Sequence, residues 1–131
     1  MAITKSDARQ WPLAEIIRIT YADLDASAPV PLADLAGGEM VTGGSVTVVT
    51  PWDSGTSATL DLGDADDDDR YTSTAIDLAT AGRTALTLTG DVQSVHTELL
   101  ATLAESGTAA TAGEAVLEFT VIREGRQSEV A

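Results

Sequence analysis

Leu117-Glu118-Phe119-Thr120-Val121 sets a large apolar side chain at every second position, with a charged or hydroxylated one between. That is the period of a β-strand with one buried face. The same alternation recurs at Ala58, Leu60 and Leu62 around Thr59 and Asp61, and at Leu86 and Leu88 around Thr87. It recurs again at Ile17, Ile19 and Tyr21 around Arg18 and Thr20. The run Ser45 to Thr50 is β-branched almost throughout, which predicts a strand packed on both sides. Between these runs lie Ala28-Pro29, Gly37-Gly38, Gly43-Gly44, Asp53-Ser54-Gly55, Gly90-Asp91 and Ala112-Gly113, all turn signals.

Strands are therefore expected at 14–22, 30–35, 39–50, 57–62, 74–78, 84–89, 94–103 and 114–124. Short strands with no helical period between them predict an all-β protein: an antiparallel β-sandwich, jelly-roll-like, of about eight strands. The stretch 96–104 reads two ways. Leu99, Leu100 and Leu103 fall at helical spacing, while Leu99, Ala101 and Leu103 alternate as a strand. The strand reading is preferred, because the C-terminal strand needs a partner. At 131 residues the chain makes one domain. Residues 1–13 show no period and read as an N-terminal arm, and 14–131 as the sandwich domain.

Twenty-one acids against seven bases give a formal charge of −14. The sign is unevenly placed: Tyr21 to Ile122 holds all the bases' smallest share, only Arg70 and Arg83, whereas Lys5, Arg9, Arg18, Arg123 and Arg126 sit near the ends. Such a field repels phosphate, so neither nucleic acid nor an anionic membrane is an expected partner. No run approaches the roughly 20 apolar residues of a membrane helix. The first eleven residues are polar where a secretion signal needs an apolar core. With no cysteine and one histidine, His96, thiol chemistry and multi-histidine metal centres are excluded within one chain.

Three motifs invite chemistry. Asp64-Ala65-Asp66-Asp67-Asp68-Asp69 offers Asp64, Asp66 and Asp68 as calcium ligands at EF-hand spacing. Asp69 then stands where that loop requires glycine and Ala75 where it requires glutamate, leaving a looser calcium site or a hydrated acidic loop beside Arg70. Asp53-Ser54-Gly55 has the tripeptide of aspartic proteases, but Pro51-Trp52 precedes it in place of an apolar strand, and a hairpin turn is expected. No serine sits in a Gly-x-Ser-x-Gly elbow that would enlist His96. No enzymatic activity and no cofactor is expected. Trp52 reads either as a plug for a partner or as packing over one end of the sandwich. Lys5, Arg9, Trp11 and Trp52 are the candidate partner contacts.

Thr50-Pro51-Trp52-Asp53-Ser54-Gly55-Thr56-Ser57-Ala58-Thr59-Leu60-Asp61-Leu62-Gly63-Asp64 with Asp69-Arg70-Tyr71 resembles small virion structural proteins from the head gene clusters of tailed bacteriophages. So do Ala75 to Thr87 and the ending Glu118 to Ala131. The resemblance implies a β-sandwich that decorates or cements a capsid and carries no active site. It implies the major capsid protein or another virion protein as partner, assembly as a homo-oligomer, and a place on the outer surface of the head after synthesis in the host cytoplasm. The alternative is a tail- or fibre-associated β-module that binds a carbohydrate or receptor.

Overall fold

The computed structural model describes residues 8–125 and 128–129. Its strands are, in chain order, β1 (Ala8–Arg9), β2 (Leu13–Thr20), β3 (Val30–Leu35), β4 (Glu39–Thr50), β5 (Ser57–Gly63), β6 (Ile76–Asp77), β7 (Gly82–Ala85), β8 (Thr97–Ser106), β9 (Glu114–Arg123) and β10 (Ser128–Glu129). A first sheet has the order β2-β9-β4-β7 and a second the order β3-β8-β5-β6, while β1 and β10 form a separate ribbon. The antiparallel pairs are nested: β2 with β9, β3 with β8, β4 with β7, and β5 with β6. This is the order that a long hairpin takes when rolled into two facing layers, as a jelly-roll-like sandwich requires.

Side-chain alternation explains why the layers close. Ile19, Val46, Leu117 and Phe119 from the first sheet and Leu35, Leu60, Leu62, Leu99 and Ala101 from the second join one buried cluster. Inner faces of this kind interdigitate at a spacing of about 10 Å. In β4 the inward parity changes. Val41 is buried opposite Val121, the register slips between Val41 and Gly43, and Val46 and Val48 are then the buried residues. One bulged residue lets both ends of a twelve-residue strand present valines to the core. Pro31 is accommodated because β3 is an edge strand.

Several expectations need adjustment. The 96–104 ambiguity resolves as strand: Leu99, Ala101 and Leu103 point inward from β8, which lies between β3 and β5. The strand expected at 84–89 is β7, which ends at Ala85. The chain then turns away as the N–H of Thr87 bonds the carbonyl of Tyr71 at 2.9 Å, and Leu88 is exposed. Within Ser45 to Thr50 only one face is fully packed, for Val49 is 53% exposed. Before β2, the side chain of Gln10 donates to the carbonyl of Arg123 at 2.6 Å and accepts its N–H at 2.9 Å. With the β1–β10 pairing, this ties the segment entering the sandwich to the one leaving it.

Candidate attachment surface

The start of β2 and the end of β9 lie at one end of the sandwich, beside the β1–β10 ribbon, and four exposed apolar residues gather there. Leu13 pairs with Val121, Glu39 with Arg123, and Met40 with both Ile122 and Val92. The β3–β4 turn sits beside them. Gly38 has φ +88°, a left-handed conformation suited to glycine, and donates its N–H to Gln93 at 2.6 Å. A Cβ at Gly37 would touch the backbone of Ser94 and Val95. Trp11 (90% exposed), Leu13 (53%), Val92 (56%) and Val95 (66%) therefore surround one rim, flanked by Arg9 and Arg123. Sequence reading named Trp11 and Arg9 but missed Leu13, Val92 and Val95. Those residues are some 80 positions apart and share no period, so only the fold brings them together. Lys5 lies outside the described residues.

Between the free edges of β2 and β3 at this end is a cleft of about 310 Å³. Leu13, Leu35, Phe119 and Val121 form its apolar wall, and Glu15, Asp34 and Glu39 contribute acids. The Glu39 carboxylate is engaged by the N–H of Ala36 at 2.7 Å. His96 Nε2 lies 2.9 Å from Asp34, and Asp34 stands opposite Glu98 in the β3–β8 register.

The acidic loop adjoins the rim on the second-sheet side. Asp64 is buried, and its carboxylate accepts Arg70 Nε at 2.6 Å and the N–H groups of Asp66 and Asp67 at 3.0 and 2.9 Å. Burial pushes this carboxyl up, but the Arg70 guanidinium and the two N–H donors outweigh it and hold the pKa below the usual value. Arg70 also faces Asp91 at 3.6 Å, and Gln93 donates to Tyr71 Oη at 3.2 Å. Burial first, then the nearby carboxylates Asp91 and Asp64, push the Tyr71 phenol up to about 12. These bonds fix the segment carrying Val92. The expected trio Asp64, Asp66 and Asp68 is not assembled as a ligand set, since Asp64 turns inward to Arg70. The carboxylates that converge are those of Asp67, Asp68 and Asp69. A hydrogen bond with Asp67 and repulsion from it raise the pKa of Asp69.

At the opposite end, Asp53 and Ser54 join two loops. The Asp53 carboxylate accepts the N–H groups of Thr111 and Ala112 at 2.7 and 3.1 Å and the Thr111 hydroxyl at 2.8 Å. These bonds, led by the Thr111 N–H, lower its pKa. Ser54 Oγ donates to the Glu105 carboxylate, which also accepts the Ala110 N–H at 3.1 Å. This is turn architecture, as expected of the Asp-Ser-Gly tripeptide. Trp52 is 3% exposed and belongs to the core cluster, so of its two readings packing over the sandwich end describes it, and it has no ring face to offer a partner.

No protein-family model and no curated protein sequence matches the chain. Its fold, however, is shared with chains of solved phage capsids. A chain of the Cyanophage Pam1 capsid asymmetric unit superposes with a TM-score of 0.65 at 17% identity, over 92% of this chain and 92% of that one. A chain of the acidic stable capsid structure of Helicobacter pylori bacteriophage KHP30 gives 0.65 at 13% identity, over 91% and 94%. A chain of the capsid of Ralstonia phage GP4 gives 0.63 at 18% identity, over 94% and 90%.

Proposed function

We propose that the chain is a bacteriophage virion structural protein that decorates the outside of the head and cements its lattice. The observation that carries this reading is the near end-to-end fold likeness to chains from three phage capsids, with over 90% of this chain covered in each case. The charge argues for the outer side. A body of −14 is repelled from a shell interior packed with DNA phosphates, whereas outside it is screened by salt. The apolar rim of Trp11, Leu13, Val92 and Val95, beside Arg9 and Arg123, is the attachment surface in this reading. Its residues lie where β2 begins and β9 ends, beside the β1–β10 ribbon, so ribbon and rim meet the lattice together.

Cementing works by mass action: a protein that binds the assembled lattice and not its dissociated subunits shifts the equilibrium toward assembly. Repetition over many sites multiplies a modest energy per contact. The test is electron cryo-microscopy of particles from the encoding phage, with and without this chain. Density for the sandwich on the outer head surface, and earlier thermal opening of heads that lack it, are the expected results. Density confined to the tail, or heads of unchanged stability, would overturn the reading.

A further inference from the structure

The two outer faces of the sandwich differ in charge. On the second sheet, Asp34, Asp61, Asp77 and Glu98 point outward with no Lys or Arg among them in the described residues, while His96 meets Asp34. The outer face of the first sheet carries two bases and two acids, and each base has its acid. Arg18 pairs with Glu114, and Arg83 lies 3.8 Å from Glu118. Ser45, only 1% exposed, bridges the second pair: Arg83 Nε donates to its hydroxyl at 3.0 Å, and the hydroxyl donates to Glu118 at 2.9 Å. Around these closed pairs lie Ile16 (75% exposed), Val49 (53%) and the half-buried Val116 and Ile122.

We propose that this face is where a second copy of the chain packs, sheet against sheet. For a protein of −14 most approaches of one copy to another bring like charges together, but this face is neutral. Ion pairs that are already closed keep their partners when covered, which limits the desolvation cost. Stacking through it puts the acidic faces on the far sides of the pair. At about 10 Å per layer they stand about 30 Å apart, against a Debye length of about 8 Å at physiological salt. Four strands about 4.8 Å apart and some eight residues long present about 500 Å² per copy, short of the roughly 800 Å² typical of stable complexes. The contact is therefore weak in solution and strengthens wherever copies are held at high local concentration. It does not depend on the virion reading.

The test is sedimentation equilibrium of the purified full chain at about 0.1–1 mM, in about 0.05 and about 0.5 M salt. Association that strengthens with salt is expected. Ile16→Asp places a carboxylate across from Glu118 and should weaken association about tenfold, while Ala104→Asp adds the same charge to the exposed outer face of β8 and should leave it unchanged. Circular dichroism checks that both variants fold. A chain monomeric throughout that range, or equal effects of the two substitutions, overturns the proposal. An Ile16→Asp variant that associates normally but no longer binds phage heads would assign the face to the shell, and so overturn it as well.

Discussion

Gly113 lies flat beneath the indole of Trp52: a Cβ added at 113 would stand 2.5 Å from Cδ2 and within 3 Å of Cε3 and Cε2. The ring is thereby pressed onto the backbone entering β9, while the Trp52 N–H bonds the Leu78 carbonyl at 2.8 Å. Trp52 so closes the end of the sandwich opposite the apolar rim. Its own Nε1–H is buried without a partner among the described residues, a cost the ring's packing offsets.

Substitution Gly113→Ala should therefore displace the indole and cost about 2–3 kcal/mol, as overpacking does. Trp52→Ala should cost about 3–5 kcal/mol by opening a cavity, whereas Trp52→Phe should cost clearly less because it also removes the unpaired donor. Urea denaturation measures all three. A Phe variant as unstable as the Ala variant would refute this account of the indole nitrogen.

Two adjacent glycines in β4 should respond differently. At Gly44 a Cβ would meet the Glu118 carbonyl at 2.5 Å and Phe119 Cβ at 2.9 Å, whereas at Gly43 it would meet only Thr120 Oγ1 at 3.4 Å. Gly44→Ala should cost about 2–3 kcal/mol and Gly43→Ala within about 0.5 kcal/mol. Thermal melting of the pair checks it.

The sequence reading succeeds where burial is one-sided. Leu60, Leu62, Leu117 and Phe119 alternate with polar residues because each strand has one wet face, and that alternation is visible without coordinates. It fails where tertiary contacts break the period. The bulge after Val41 reverses parity inside one strand, and Leu88 continues an alternation although its segment has left the sheet. The apolar rim is half legible. Trp11 stands out as a rare aromatic in a polar segment, but Val92 and Val95 resemble core valines until the fold shows them exposed. Trp52 shows the reverse: a turn residue by sequence, it is buried because Gly113 makes room for it.

Acid should weaken the loop beside the rim. The Asp64 carboxyl titrates below its unfolded value of 3.8, so its stabilisation is fully present above that pH and is lost as pH falls through the lower folded value. Asp64→Asn should cost about 2–3 kcal/mol at neutral pH, by removing the charge that Arg70 and two N–H groups address. The gap between parent and variant should narrow below about pH 4. Urea titrations across that range measure it, and a gap that stays constant would show that Asp64 acts through shape alone.

Trp11 should matter to attachment and not to folding. With 90% of its surface exposed it contributes little to the core, so Trp11→Ala should leave the melting temperature nearly unchanged. A buried tryptophan anchor at an interface is commonly worth about 2 kcal/mol or more, so binding to heads assembled without the chain should weaken about 30-fold. Deleting residues 1–10 should weaken binding as well. It also removes the Gln10–Arg123 bonds, so a small loss of stability is expected while the sandwich persists. Tyr21→Ala is the control, because Tyr21 is 41% exposed but bonds through its N–H to Gly113, at the far end. If Tyr21→Ala impairs binding and Trp11→Ala does not, the sandwich attaches by its other end, through the surface around Tyr21 and Val49.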